Sequence, residues 1–176
     1  MAFDLSEGAA QLRRTPHVLQ ALVGPLPESW LHATEGPGTW SPMQVLRHLA
    51  WGEVDDWIPR ARLILEHQDR LPFTPFDREA GEGRYAGWSA GALLEEFGRL
   101  RTTNLEILEG MSLSVGDLAL PGLHPALGRV TMGQLLATWV AHDLVHLTQI
   151  TRTLARQYTD TVGPWREFMS VLKSAV

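Results

Sequence analysis

Apolar residues recur at three- and four-residue spacing through four stretches of the chain, about 5–23, 42–67, 89–109 and 131–158. That period predicts amphipathic helices, and no stretch alternates as a strand would. Each stretch opens with a capping residue preceded by an apolar one. In Trp40-Ser41-Pro42-Met43-Gln44-Val45, Ser41 caps, Pro42 takes the first helical position, Gln44 closes a capping box and Trp40 is placed to staple onto Val45. Val130-Thr131-Met132-Gly133-Gln134-Leu135 repeats the device, while Phe3-Asp4 with Glu7 and Trp88-Ser89 with Leu93 open the other two helices. Stops are equally plain: Gly24-Pro25, Gly110, and a polar stretch before Gly163-Pro164, where a short C-terminal helix can start. Pro59 lies inside the second helix and predicts a kink or a split there.

Four helices in 176 residues predict an all-α four-helix bundle forming one domain over 1–176. The connection from about 68 to 88 is too long for a tight hairpin and too rich in Pro and Gly for a helix. It reads as a crossover that lets helices two and three run parallel, while the shorter first link and the segment 111–130 join antiparallel neighbours. The formal charge of -5, with basic residues scattered among more numerous acids, speaks against a nucleic-acid partner. The N-terminus lacks a signal-peptide core and no stretch approaches about 18 uninterrupted apolar residues, so the expectation is a cytoplasmic protein without a membrane partner. With no cysteine, disulfides, thiolate metal sites and a cysteine nucleophile are excluded, and any metal must use nitrogen or oxygen ligands.

His142-Asp143-Leu144-Val145-His146 places two imidazoles one turn apart on one face of the fourth helix, with Gln149 and Thr153 continuing that face. Seven histidines give roughly a quarter of such a pair by chance, so the spacing needs a third ligand. His48, among Val45, Leu46, Leu49 and Trp51, is the candidate; its bland alternative is a core histidine donating to a nearby acceptor. Gly52, one turn on, leaves room for a metal or ligand. Asp143 stands where zinc proteases carry a Glu but points about 100° off the histidine face, so it either orients a neighbour or is a solvated carboxylate. Asp55, two turns beyond His48, is the acid or base candidate, with a surface charge as its alternative. Three neutral imidazoles leave an open position on a divalent ion, the arrangement of catalytic zinc; nickel, iron and copper suit the same donors. Trp51, Trp139, Phe73, Phe76 and Tyr85 are candidates for a pocket wall or for plain core, and His124, beside Pro125, either reaches the site from its loop or shapes a turn.

The stretch Trp139-Val140-Ala141-His142-Asp143-Leu144-Val145-His146-Leu147-Thr148-Gln149-Ile150, with Trp40-Ser41, His48-Leu49, His124-Pro125, Gly128, Thr131 and Val162-Gly163-Pro164-Trp165, resembles the DinB/YfiT-like family of metalloenzymes. The resemblance runs from about residue 38 onward. It implies a bundle in up-down-down-up order, and a metal held by one His of the second helix and two of the fourth, which fall on His48, His142 and His146. It also implies small-molecule chemistry, in some members with a low-molecular-weight thiol, and a homodimer. A competing expectation from another class is a non-catalytic, metal-stabilised interaction module.

Overall fold

The computed structural model describes residues 3–173. Helix α1 (Leu5–Val23) starts where Asp4 accepts from the N–H of Glu7 at 2.9 Å. After a one-turn α2 (Glu28–Leu31), α3 (Pro42–Asp55) opens with the Ser41–Gln44 capping box. α4 (Trp57–His67) follows, α5 (Ala80–Arg84) interrupts the long connection, and α6 (Ala90–Gly110) is capped by Ser89. A hairpin of β1 (Pro121–His124) and β2 (Gly128–Thr131) leads into α7 (Met132–Arg156), whose capping box is Thr131 with Gln134. A cap of this kind stabilises a helix by about 1 kcal/mol and fixes where the chain turns into it. The rods α1, α3–α4, α6 and α7 form the up-down-down-up bundle, with α3 and α1 both packed along α6.

Pro59 accounts for the break between α3 and α4. It has no N–H to give the carbonyl of Asp55, four residues back, and α3 ends at Asp55. Asp56 takes φ -104° and ψ -72°, off the regular helix, before α4 resumes at Trp57.

Three elements depart from the sequence reading. The segment 111–130 contains the antiparallel hairpin, paired Pro121 to Thr131 through His124 to Gly128. Its strands have four residues each, too short to show an alternation. The crossover is partly ordered: α5 forms because Gly81 lets it lie against α3, where a Cβ would come within 2.9 Å of Trp51 Cβ and 3.1 Å of the Arg47 carbonyl. The expected C-terminal helix is two 3-10 turns, Gly163–Phe168 and Ser170–Leu172.

The hairpin also anchors the crossover. The N–H of Phe73 donates to the Leu123 carbonyl at 2.9 Å, and Gly122 lets Ile64 and Phe73 press against the strand. The core has two apolar clusters, one around Leu46, Leu49, Phe97 and Ile150, the other around Ile64, Phe73, Leu136 and Trp139. Along α3–α4, α6 and α7 alike, the helix passes from one cluster to the other across buried polar residues, namely Glu53, Arg101 with Asn104, and Asp143 with His146. Polar groups survive there only if partnered. Among the described residues no helix is long and apolar enough to cross a membrane.

Candidate metal centre

The capping box of α3 sets His48 on its second turn, and α7 carries His142 and His146 one turn apart. Nε2 of His142 lies 2.9 Å from Nε2 of His48 and 3.1 Å from Nε2 of His146. One nitrogen from each ring falls within 4.8 Å of the others. Ligands about 2.0–2.1 Å from a zinc ion stand roughly 3.3 Å apart in tetrahedral geometry and about 2.9 Å apart at right angles. The two spacings to His142 fit that range, and three neutral nitrogen donors suit a divalent transition metal.

The rings are neutral and offer lone pairs. Burial, then the neighbouring His146 and Arg78, pushes His48 down to about 3. Burial, then His146 and His48, pushes His142 down to about 2. Burial also lowers His146, opposed by its hydrogen bond to Gln149 and by Asp143. Nδ1 of His146 sits 3.0 Å from Gln149 Oε1, and because that oxygen only accepts, Nδ1 carries the proton and Nε2 the lone pair. Nδ1 of His48 and of His142 have no protein partner among the described residues.

Aromatic rings wall the centre. Trp40 lies parallel to His146 and 4.8 Å from His48, Phe76 meets His48 edge-on at 5.5 Å, and Trp57 meets His142 at 5.1 Å. Together they border a cavity of about 790 Å³ that contains the three imidazoles.

The other candidates separate cleanly. Gln149 lines the cavity and holds His146, and Phe73 and Phe76 line it too. His124 reaches the lining, but its Nδ1 accepts from the N–H groups of Ala126 and Leu127, both at 3.1 Å, so it shapes the hairpin turn. Trp51 is turned away and donates to the Asp77 carbonyl at 2.9 Å, while Trp139 and Tyr85 are fully buried core. Gly52 makes room for Trp57, whose Nε1 would lie 3.4 Å from a Cβ there, rather than for a ligand. Asp55 is not among the residues lining the cavity; Asp56 is, because the break at Pro59 turns the chain there. Burial pushes the Asp56 carboxyl up to about 6 against the opposing charge of Arg60, whose Nη1 is 2.6 Å from Oδ1. Asp143 touches no imidazole. It is bound by both terminal nitrogens of Arg101, at 2.6 and 3.0 Å.

That arginine had no part in the sequence reading. Nη2 of Arg101 also donates to Glu53 Oε1 at 2.9 Å, where Trp139 Nε1 donates at 3.0 Å, and Asn104 covers Glu53 Oε2 at 3.0 Å. Burial pushes the Glu53 carboxyl up, against Arg101. The available signal was Arg101 occupying a core position in the stripe Leu94, Phe97, Arg101, Leu105, Leu108 of α6.

The sequence profile of the DinB superfamily matches residues 11–150, most of the chain. The chain belongs to the DinB superfamily. Among solved structures, this DinB protein resembles YfiT from Bacillus subtilis, described as a probable metal-dependent hydrolase with an unusual four-helix bundle topology. The TM-score is 0.75 at 22% identity, over 86% of each chain. It also resembles TT2238, a four-helix bundle protein, with a TM-score of 0.56 at 22% identity over 84% of this chain and 98% of that one. Both likenesses establish the four-helix bundle fold. No curated protein matches the sequence significantly.

Proposed function

We propose that the protein is a metal-dependent enzyme, a hydrolase in the first instance, in which His48, His142 and His146 hold one divalent transition metal, zinc before nickel or iron. The observation that carries this is the convergence of three ring nitrogens within 4.8 Å inside a cavity of substrate size. A divalent ion held by three imidazoles supplies Lewis acidity at an open position and lowers the pKa of a coordinated water, or of a small thiol, toward neutrality.

The chain's own residues then have definite work. The neutral rings keep their lone pairs for the ion, and Gln149 fixes the tautomer of His146. Trp40, Trp57 and Phe76 restrict water around the rings. Asp56 takes the role expected of Asp55: its carboxylate faces the cavity and changes charge near pH 6, so it accepts a proton from the nucleophile and returns it to the leaving group.

YfiT's description as a probable metal-dependent hydrolase supports this reading. A homodimer through the outward face of α7 fits the exposed Leu144 and Val145, and sedimentation velocity tests it. The primary test is metal analysis of protein purified without an affinity tag, followed by ester, amide and thiol-transfer screens with and without chelator. We expect about one ion per chain and chelator-sensitive turnover. Equal turnover by stripped and loaded protein removes the metal from the mechanism.

A further inference from the structure

Four charged residues line the cavity, and three of them are spoken for. Asp56 pairs with Arg60 at 2.6 Å. Glu35 is held by Arg152, whose Nη2 is 2.7 Å away, and lies 3.8 Å from Arg156 Nε. Among the charged residues that line the cavity, Arg78 alone has no ion-pair or side-chain hydrogen-bond partner among the described residues. Arg78 thus presents an unpaired positive charge to the cavity.

The loop that presents Arg78 is fixed at several points. Phe76 packs on His48. Trp51 Nε1 holds the Asp77 carbonyl at 2.9 Å. Of the two acids that flank Arg78 in sequence, Asp77 turns its side chain onto the N–H groups of Glu79 and Ala80 at 2.9 and 3.2 Å, and Glu79 makes no ion pair with Arg78. The Asp77 carboxylate is engaged in a turn instead of neutralising Arg78.

We infer that Arg78 is a specificity residue that selects a small carboxylate-bearing substrate, its carboxylate seated on the guanidinium and its apolar body against Phe76 and Trp40. The inference rests on the proposed function, taking the same cavity as the substrate chamber. A guanidinium presents a planar fork that a carboxylate matches with two parallel hydrogen bonds. One arginine also balances one negative charge, which favours a carboxylate over a phosphate dianion. Beside it, Leu127 and Val130 extend the apolar lining and offer no charge to a second polar group.

The test compares phenylacetate, phenylacetamide and phenyl phosphate by calorimetric titration of metal-free and zinc-loaded protein. In metal-free protein, where no ion can draw a carboxylate, wild type should prefer phenylacetate to phenylacetamide by about tenfold, the lower range for a hydrogen bond to a charged group. Arg78→Gln should abolish that preference, and Arg78→Lys should keep part of it, with zinc stoichiometry unchanged in both. The inference is overturned if acid and amide bind alike, if neither binds, if phenyl phosphate binds best, or if the preference survives Arg78→Gln. Failure of wild type to take up zinc strikes the metal reading instead and leaves the metal-free comparison standing.

Discussion

Nη1 of Arg101 donates at 2.9 Å to the carbonyl of Leu12, the one carbonyl in the middle of α1 that Pro16 leaves without a helical partner. The same guanidinium binds Asp143 and Glu53, and lies 4.8 Å from the ring centroid of Phe97 and 5.2 Å from that of Trp139. A helix defect and two buried carboxylates are therefore satisfied by one side chain. Removing only the cation leaves buried charges unpaired, which is more damaging than removing the whole set. We expect Arg101→Met to destabilise the protein by about 3–5 kcal/mol in urea unfolding. The triple variant with Glu53→Gln and Asp143→Asn should recover much of that loss. A single variant as stable as wild type would show that the network contributes nothing.

On the proposed metal reading, Gln149 acts through His146. Gln149→Leu removes the acceptor for Nδ1–H, so the ring loses its fixed tautomer and orientation. Zinc affinity, measured by competition with a fluorescent chelator, should weaken by about 10- to 100-fold. The circular dichroism spectrum should be unchanged. Unaltered affinity would mean that the neighbouring aromatic rings alone orient the ring.

His142 sits between the other two ligands, its Nε2 near both of theirs. His142→Ala should abolish zinc retention through dialysis at pH 7 and keep most of the helicity. Full occupancy in that variant would refute the three-ligand assignment.

Acid should destabilise the metal-free protein. An unfolded histidine takes up a proton near pH 6.5, whereas folded His48 and His142 resist until about 3 and 2, and His146 is lowered too. Their contribution is complete above pH 6.5 and is lost as the pH falls toward the folded values. Asp56 works in the opposite sense. Raised from 3.8 to about 6, it contributes stability that is complete below 3.8 and disappears as the pH rises through 6. Glu53, also pushed up by burial, acts in the same sense as Asp56; three rings still oppose two carboxyls, so the Tm of chelator-stripped protein should fall between pH 6.5 and 4 in scanning calorimetry. A flat or rising Tm would contradict the burial of the rings.

Asp56 should shape the rate profile. As a proton acceptor it must be ionised, giving a limb that falls below about pH 6. On any ester turned over in a chelator-sensitive way, Asp56→Asn should lower kcat by roughly 10²- to 10⁴-fold and abolish that limb. Asp55→Asn should leave both nearly unchanged. The reverse ranking would return the role to Asp55.

The parts of this molecule visible in the sequence are those set by local rules. The two capping boxes and the Ser89 cap placed three of the long helices within a residue or two, and the four-residue spacing of His142 and His146 already put both on one face. Pro59 announced a break, but not which residue the break would turn inward, because that depends on how α4 packs against α7. Asp55 comes from counting turns on from His48 through a helix that ends there. Arg78 and the hairpin lay hidden for a different reason. Their placement comes from contacts far apart in the chain, Phe73 on Leu123 and Phe76 on His48, which no periodicity records.

Leu12 belongs to α1, Glu53 to α3, Arg101 to α6 and Asp143 to α7, so a single guanidinium touches every rod of the bundle one residue away from a metal ligand. The α3 and α7 segments that carry the three histidines are thus tied through Arg101 to α1 and α6 as well, so on the proposed metal reading the centre is supported by all four rods. By the same coupling, an ion bound only to the finished fold holds the bundle shut in proportion to its free concentration. If the proposed metal is resident, lowering its free concentration should reduce the stability of the whole bundle while most centres are still filled.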